Sequence, residues 1–434
     1  TIQGGSSKSF VDDYLRKYKQ HTNYNSINVY ATYNKDFGNH HFKVMAGFNQ
    51  ESSYQETLDT YSYNQAVLDV PAMSSGTGTI KATDSYSEYA IRGGFFRVNY
   101  NYLDKYLLEV NGRYDGSSKF PKSSRFGFFP SVSAGWQIAQ ERFMNSTRHW
   151  LDGLKLRASY GVIGNQNINP YTFTPSMSVN NKATSWIIDD TYVTSISSLP
   201  ALVSQNFTWE KVGTINVGLD VNLFNNRLSG VFEWYQRNTN GMLAPGVQLP
   251  AVVGASAPYQ NTADMRTRGW ELSLNWRDQI GKVGYRIGFN LSDYKSEIIK
   301  YDDNAATKLL SSYYPGQTLG EIWGYVVDGY YTVDDFVDTS SWQLKEGVTS
   351  INGYNVRPGD VKFKNLRDDD TSTNVITSGD NTFDNPGDRK VIGNTTPRYQ
   401  YGINLGMNYA GFDLNVILQG TGKRDYWISN VLTF

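Results

Sequence analysis

The chain contains no cysteine, which removes disulfide frameworks, thiolate metal sites and cysteine nucleophiles at once. Histidine is scarce. His21, His40, His41 and His149 are scattered, and none falls in a metal-ligand spacing such as His-Glu-x-x-His. His40-His41 lies beside a short turn and reads as a solvated pair. No run of eighteen or more apolar residues exists, so no transmembrane helix is expected. Neither sign of charge dominates, with 40 Lys+Arg against 41 Asp+Glu and a formal net charge of -1. The basic stripe that marks nucleic-acid binding is therefore missing. There is no Gly-x-Ser-x-Gly elbow, and Gly420-Thr421-Gly422-Lys423 lacks the spacing of a phosphate-binding loop. Nothing in the sequence pairs two carboxylates for glycoside hydrolysis, so no catalytic residue is assigned and no enzyme is expected. No composition shift divides the 434 residues into domains. The chain starts at Thr1 without Met or signal peptide and is expected to be processed, trimmed or a fragment.

Aromatic residues are abundant instead: 32 Tyr, 21 Phe and 10 Trp make 15% of the chain. Tyr and Trp suit a membrane–water interface, where an apolar ring and a polar tip are both satisfied. The pattern that organises the chain is Thr214 to Arg237, where Ile215, Val217, Leu219, Val221 and Leu223 alternate with Asn216, Gly218, Asp220 and Asn222. After a turn at Asn225-Asn226, Leu228, Phe232 and Trp234 fall in one set and Ser229, Glu233 and Arg237 in the other. A period of two on both arms means paired strands with one apolar and one polar face. Arms of about nine to eleven tilted residues match a bilayer's hydrocarbon core. A mean hydropathy of -0.50 does not oppose this, because lumen-facing residues dilute the lipid-facing ones in a β-barrel.

The unit repeats. Residues 1–25 are polar and mixed; a hairpin follows with Ile27, Val29, Ala31 and Tyr33 against Phe42, Val44, Ala46 and Phe48. Residues 51–90 show no sustained period and read as a long loop. Phe96, Val98, Tyr100 and Tyr102 then face Tyr106, Leu108, Val110 and Tyr114 across Leu103-Asp104-Lys105, with Arg97, Glu109 and Arg113 on the other side. Segments 125–136 and 154–160 form a further pair. Polar stretches at 161–210, about 238–266 and about 295–396 separate hairpins built on Trp270–Trp276 with Tyr285–Leu291, and on Tyr399–Tyr409 with Phe412–Leu418. Roughly twelve strands thus alternate short turns on one side with long connections on the other, the signature of an outer-membrane barrel. Aromatics gather near strand ends at Tyr102, Trp136, Tyr160, Trp234, Trp270, Trp276, Tyr399 and Tyr409. The fold class is all-β, an antiparallel transmembrane barrel. Open edges are not viable in lipid, so about twelve strands must close on themselves or belong to a larger barrel.

Several blocks carry a specific resemblance. They include DKYLLEVNGRYDGSSKF (Asp104–Phe120), SRFGFFPSVSAGWQIAQERFM (Ser124–Met144), LKLRASYGVIGNQNINPY (Leu154–Tyr171) and NFTWEKVGTINVGLDVNLFNNRLSG (Asn206–Gly230). RTRGWELSLNW (Arg266–Trp276), LGEIWGYVVDGYY (Leu319–Tyr331), RPGDVKFKNL (Arg357–Leu366) and the stretch Asp388–Trp427 extend it. In this order the chain resembles the SusC/RagA-type TonB-dependent outer-membrane transporters of Bacteroidetes over most of residues 92–427. The resemblance implies a barrel of about twenty-two strands, an N-terminal plug with a TonB-binding segment, and a SusD-like surface lipoprotein as lid. Residues 1–434 are then expected to be part of one barrel domain, with the plug and remaining strands not in this chain. Relatives normally continue past a GKRDYW-like segment, so Phe434 is not expected to be the natural end.

On that reading the protein is a nutrient importer for oligosaccharides or oligopeptides, energised by TonB through the absent plug and set in outer-membrane lipid. Arg97, Glu109, Arg113, Arg157, Asp220, Glu233 and Glu271 are the expected lumen lining, since such residues are costly in a dry core. Tyr171, Trp186, Tyr259, Tyr313, Tyr314 and Trp323 are loop aromatics that would stack on sugars or hold peptide side chains; packing of the loops on themselves is the alternative. Asp368, Asp369 and Asp370 stand where relatives often carry a calcium-loop-like segment, but the glycine for its sharp turn is missing. Calcium is the one cofactor such a loop would hold; a solvated acidic loop with no cofactor is the alternative. A passive porin or adhesin barrel, and a secreted all-β glycan-binding protein, are the competing functions.

Overall fold

The computed structural model describes residues 14–67, 69–177, 179–180, 187–188, 191–192, 196–197, 200–205, 207–304, 306–310, 313–367 and 374–426. Twelve strands form one antiparallel sheet in which each pairs with the next in the chain. They are β1 (Tyr14–Phe37), β2 (His40–Tyr63), β3 (Ile80–Tyr102), β4 (Tyr106–Ser117), β5 (Phe126–Gln137) and β6 (Leu151–Asn165). Then follow β7 (Glu210–Leu223), β8 (Leu228–Pro245), β9 (Tyr259–Ile280), β10 (Val283–Tyr301), β11 (Arg398–Tyr409) and β12 (Phe412–Lys423). Among the described residues no pairing joins β1 to β12, so both edges are open.

The pairing register sorts side chains into two faces, because directly opposed residues point the same way. One row runs Leu108, Ala134, Ala158, Val217, Trp234 and Trp270. The row beside it runs Glu109, Ser133, Ser159, Asn216 and Tyr235 on the other face. Apolar and polar faces thus stay separate across the sheet. Among the described residues no other element covers the apolar one: Val217 is 40% exposed, Leu219 36% and Phe232 45%. A contiguous uncovered apolar face of this extent is what lipid contact requires. Aromatics mark its margins, Tyr102, Tyr106, Trp136, Trp276 and Tyr409 near the short turns and Trp234, Trp270 and Tyr401 towards the long connections.

The tight turns lie on one side as expected, but on the other only 166–209 and 302–397 are long, while 64–79, 118–125 and 246–258 are shorter than expected. Phe224, Asn225 and Asn226 all take positive φ (58°, 56° and 57°) in the β7–β8 turn, a conformation asparagine tolerates. Ala410 and Gly411 do so between β11 and β12. The β5–β6 connection on the same side is longer and holds short 3-10 turns at Ile138–Gln140 and Arg142–Thr147.

Three expectations need correcting. The stretch 51–90 is not a loop: β2 runs to Tyr63 and β3 starts at Ile80. β1 likewise begins at Tyr14, inside the stretch 1–25 that shows no pattern. Beyond the lipid band neither face must be apolar, so the period vanishes while the hydrogen-bond ladder continues. With 24 residues, β1 spans about 80 Å at ~3.3 Å per residue. The stretch 295–396 is also structured. β10 continues to Tyr301, Glu321–Tyr325 pairs with Arg389–Asn394, and Val327–Tyr330 pairs with Val361–Phe363. Tyr331, Phe336 and Val356 form a small core there, packed by Trp342, Leu344 and Ile351.

Candidate functional site

The seven polar residues expected along a lumen lie on one face of the sheet, in neighbouring rows of the register. Gly135, Arg157, Gly218, Glu233 and Glu271 make one row, and Lys155 opposes Asp220 in the next. Arg157 Nε donates to both carboxylate oxygens of Asp220 at 3.2 Å, and its Nη2 donates to Glu233. Asn216 adds a donor to Glu233 at 3.4 Å. This reach depends on a missing side chain, since a Cβ on Gly218 would stand 2.7 Å from Arg157 Cζ. Glycine at that position lets the guanidinium lie flat on the strand between its two carboxylates.

A second group sits on β3–β5. Arg97 Nε donates to Asn111 Oδ1 at 2.6 Å, and Asn111 donates to Glu109 at 2.7 Å and to Ser131 at 3.2 Å. Asn99 also donates to Glu109. Arg113 forms a two-pronged pair with Asp115 at 3.0 and 2.9 Å. Glu271 is exposed, faces Glu233 and Ser292, and has no cationic partner among the described residues. Lys155, Arg157, Glu109, His41 and Asn216 line a groove of about 610 Å³ on this face. Paired charges and amides make a wall that stays wetted at little cost, since Arg97, Arg113 and Arg157 each have a carboxylate partner. They hold no nucleophile–base arrangement and, among the described residues, no group of three or more potential metal ligands.

The mouth of this face carries an assembly that the period-two pattern does not mark. Phe120, Phe129, Phe207 and Trp209 form a dry cluster at 0%, 7%, 2% and 5% exposure, packed by Val162, Ile168, Phe173 and Leu243. Phe129 opposes Arg113, so the cluster lies on the polar face. Trp209 Nε1 donates to Arg125 O at 2.9 Å, and the Asn261 side chain both accepts from Thr208 N and donates to Thr208 O. The connections 118–125 and 200–209 are thereby folded inward over the strands. The only sequence cue is Phe207 and Trp209 inside a polar stretch.

The loop aromatics scatter. Tyr171 is half-exposed and its hydroxyl accepts from Glu88 N at 3.3 Å, while Tyr259 is exposed at the start of β9. Tyr313 packs edge-on against Tyr301. Tyr314 corrects the expectation. It is 1% exposed, its hydroxyl donates to Glu321 and accepts from Trp323 Nε1 at 2.9 Å, and its ring packs on Phe383. Trp323 also donates to Glu321 at 2.8 Å. These two hold the loop on itself because indole and phenol tips, with Thr318 N at 3.2 Å, satisfy a half-buried carboxylate. Burial pushes the Glu321 carboxyl above its usual range. Asp338 goes the other way, held well below it by Ser340 and Ser341. Trp186, Asp368, Asp369 and Asp370 lie outside the described residues. Nearby Asp388 is fully buried and accepts from Leu366 N, Arg367 N and Thr377 N, which makes it a loop organiser.

Comparison with known proteins places this geometry. The family model described as TonB dependent receptor-like, beta-barrel matches residues 2–431. TonB-dependent receptor P3 of Formosa agariphila is 29% identical over 425 residues, covering 93% of this chain and 39% of that protein. TonB-dependent receptor SusC of Bacteroides thetaiotaomicron is 32% identical over 283 residues, covering 63% of this chain and 27% of that protein. The structure of the RagAB peptide importer in its open-open state superposes with a TM-score of 0.73 at 22% identity, over 94% of this chain and 41% of the other. At that identity the likeness speaks for the fold. The chain therefore spans well under half the length of the curated relatives it matches.

Proposed function

The chain belongs to the TonB dependent receptor-like β-barrel family and is a protein of the bacterial outer membrane, and from that premise we propose that it supplies part of the wall of a nutrient importer. In this reading residues 1–434 are one portion of a single barrel domain, and strands outside them pair with the open edges of β1 and β12. The importer moves oligosaccharides or oligopeptides inward. TonB drives it through a plug, and a SusD-like surface lipoprotein closes over the long connections. Arg97, Glu109, Arg113, Arg157, Asp220, Glu233 and Glu271 line the passage.

One observation carries the reading. Across twelve strands the sheet keeps an uncovered apolar face back to back with a face of paired charges and amides. Lipid on one side and water on the other is the environment in which both faces are stable. The relatives' names, TonB-dependent receptors and SusC, and the fold shared with a peptide importer support directional uptake over passive diffusion.

The test is uptake of labelled oligosaccharide and oligopeptide pools by cells carrying the full-length protein, with and without the proton gradient. Uptake that collapses with the gradient is expected. Uptake that continues unchanged without it would identify a passive porin.

A further inference from the structure

At the end of the lipid band, the apolar face of β8, β9 and β10 changes from rings to cations within one row. Trp234 opposes Trp270, and Phe232 stacks on Trp270 with ring centroids 6.5 Å apart. The next row of that face lies about 7 Å further towards the long connections, at ~3.3 Å per residue. It consists of Gln236, Arg268 and Lys295, and the row after it of Asn238, Arg266 and Glu297. No register shift separates these rows, so all of them share the face of Val217 and Leu219. Tryptophan settles at the membrane–water interface, which puts the three cations at headgroup depth. Arg268 and Lys295 are exposed, and that exposure is independent of strands beyond this chain. β8, β9 and β10 lie inside the sheet between β7 and β11, so strands added at its open edges extend the face sideways without covering it, and anything held in the bore meets the other face.

The cations are held without being neutralised. Arg268 Nε donates to Gln236 Oε1 at 2.8 Å and Arg266 Nε to Asn238 Oδ1 at 3.3 Å, while Gln236 donates to Asn238 at 3.4 Å. Two neutral amides thus fix both guanidinium groups and leave their Nη nitrogens without an acceptor among the described residues. The carboxylates nearby are mostly engaged elsewhere. Asp293, in the row of Trp270, takes both prongs of Arg398 at 2.5 Å. Asp264 accepts from Gly241 N at 2.7 Å. Glu321 faces Lys295 from the long connection but accepts from Tyr314, Trp323 and Thr318 N. Glu297 opposes Arg266 in the register, with no ion pair between them among the described residues. Three cations against Glu297 and Glu321 leave the patch positive. At the margin near the short turns, by contrast, Arg227 is already paired with Asp278 at 3.3 Å.

We propose that Arg266, Arg268 and Lys295 form a site on the outer wall for an anionic, phosphate-bearing lipid headgroup, whose acyl chains lie along Trp234, Trp270 and the apolar face below them. The guanidinium fork matches phosphate geometry, and the ring row beneath takes the chains. A free phosphate ion gains only the charge interaction, whereas a lipid gains both, so a lipid is the occupant that fits. The site stands whatever the barrel carries, since it uses only the lipid-facing side. The full-length protein in neutral detergent is titrated with fluorescent lipid A, a phosphorylated glycolipid, and with fluorescent phosphatidylcholine, whose headgroup has no net charge. Lipid A binds about tenfold more tightly or better, and added salt weakens it. Arg268→Gln and Arg266→Gln each weaken it about fivefold, the effect of one basic residue beside an anionic lipid surface. Arg227→Gln leaves it unchanged. Heat-dependent gel mobility checks that each variant is folded. Inorganic phosphate in about tenfold excess does not displace lipid A; displacement would assign the patch to a free anion and overturn the lipid site. Equal binding of the two lipids, or lipid A binding indifferent to Arg266 and Arg268, overturns it as well. Uptake driven by the proton gradient would survive all of these results, and its loss would leave the lipid site standing.

Discussion

Placing an arginine at Leu219 asks which face of β7 meets lipid. Five apolar side chains share that face, from Leu223 through Val221, Leu219 and Val217 to Ile215. The interval from Leu223 to Ile215 covers roughly 26 Å along the strand at ~3.3 Å per residue. At a tilt of about 45° this is roughly 19 Å of membrane depth. Leu219 is the middle residue and so sits near the midplane, where an arginine costs about 2–4 kcal/mol. Asn216 provides the control, three residues away on the other face, with its Nδ2 3.4 Å from Glu233. Asn216→Arg enters a wetted network with a carboxylate at hand and changes stability by no more than about 1 kcal/mol. Both variants are made in the full-length protein, folded into lipid vesicles and titrated with denaturant, with folded barrel read by gel mobility. The midpoint falls for Leu219→Arg and stays near wild type for Asn216→Arg. A wild-type midpoint for Leu219→Arg, or equal losses in the two, would refute the assignment of faces.

Gly218→Ala pushes a Cβ against the Arg157 guanidinium and is expected to cost about 1–2 kcal/mol by parting it from Asp220 and Glu233, the lower end applying because the pair is partly solvated. In an Arg157→Met background the same substitution has little further effect, which a double-mutant cycle in the denaturant assay checks. Trp209→Ala removes the centre of the mouth cluster, a loss of about 3–5 kcal/mol of local packing, and amide exchange in 118–125 rises by roughly two orders of magnitude or more. Unchanged protection there would mean that the cluster does not hold the connection inward. Glu321 has a raised carboxyl pKa from burial, so its charged form works against the folded loop. Its favourable contribution is complete below the ordinary carboxylate pKa and is lost as pH rises through the raised value. Glu321→Gln therefore makes the 302–397 connection more protease-resistant than wild type at pH about 7.5, and the difference disappears near pH 4. A pH-independent difference would assign the effect to lost hydrogen bonds with Tyr314 and Trp323.

Within the lipid band the sequence determined nearly everything. Strands β7 and β8, the turn at Asn225-Asn226 and the face of each residue from Ile215 to Trp234 follow from alternation, because lipid on one side and water on the other force a period of two. The polar set from Arg97 to Glu271 was legible for the same reason. What the alternation does not carry is which carboxylates Arg157 reaches, since that depends on β6, β7 and β8 meeting in one register and on the missing side chain of Gly218. Outside the band only the tertiary structure decided. There the backbone ladder holds β1, β2 and β3 together without any demand on side-chain polarity, so their far ends left no periodic trace. For Tyr314 and Trp323 loop packing was the stronger reading and ligand contact the weaker, and only their shared hydrogen bonds with Glu321 show them turned inward. The Phe120, Phe129, Phe207 and Trp209 cluster joins residues far apart in the chain, and contacts of that separation exist only once the strands between them have paired.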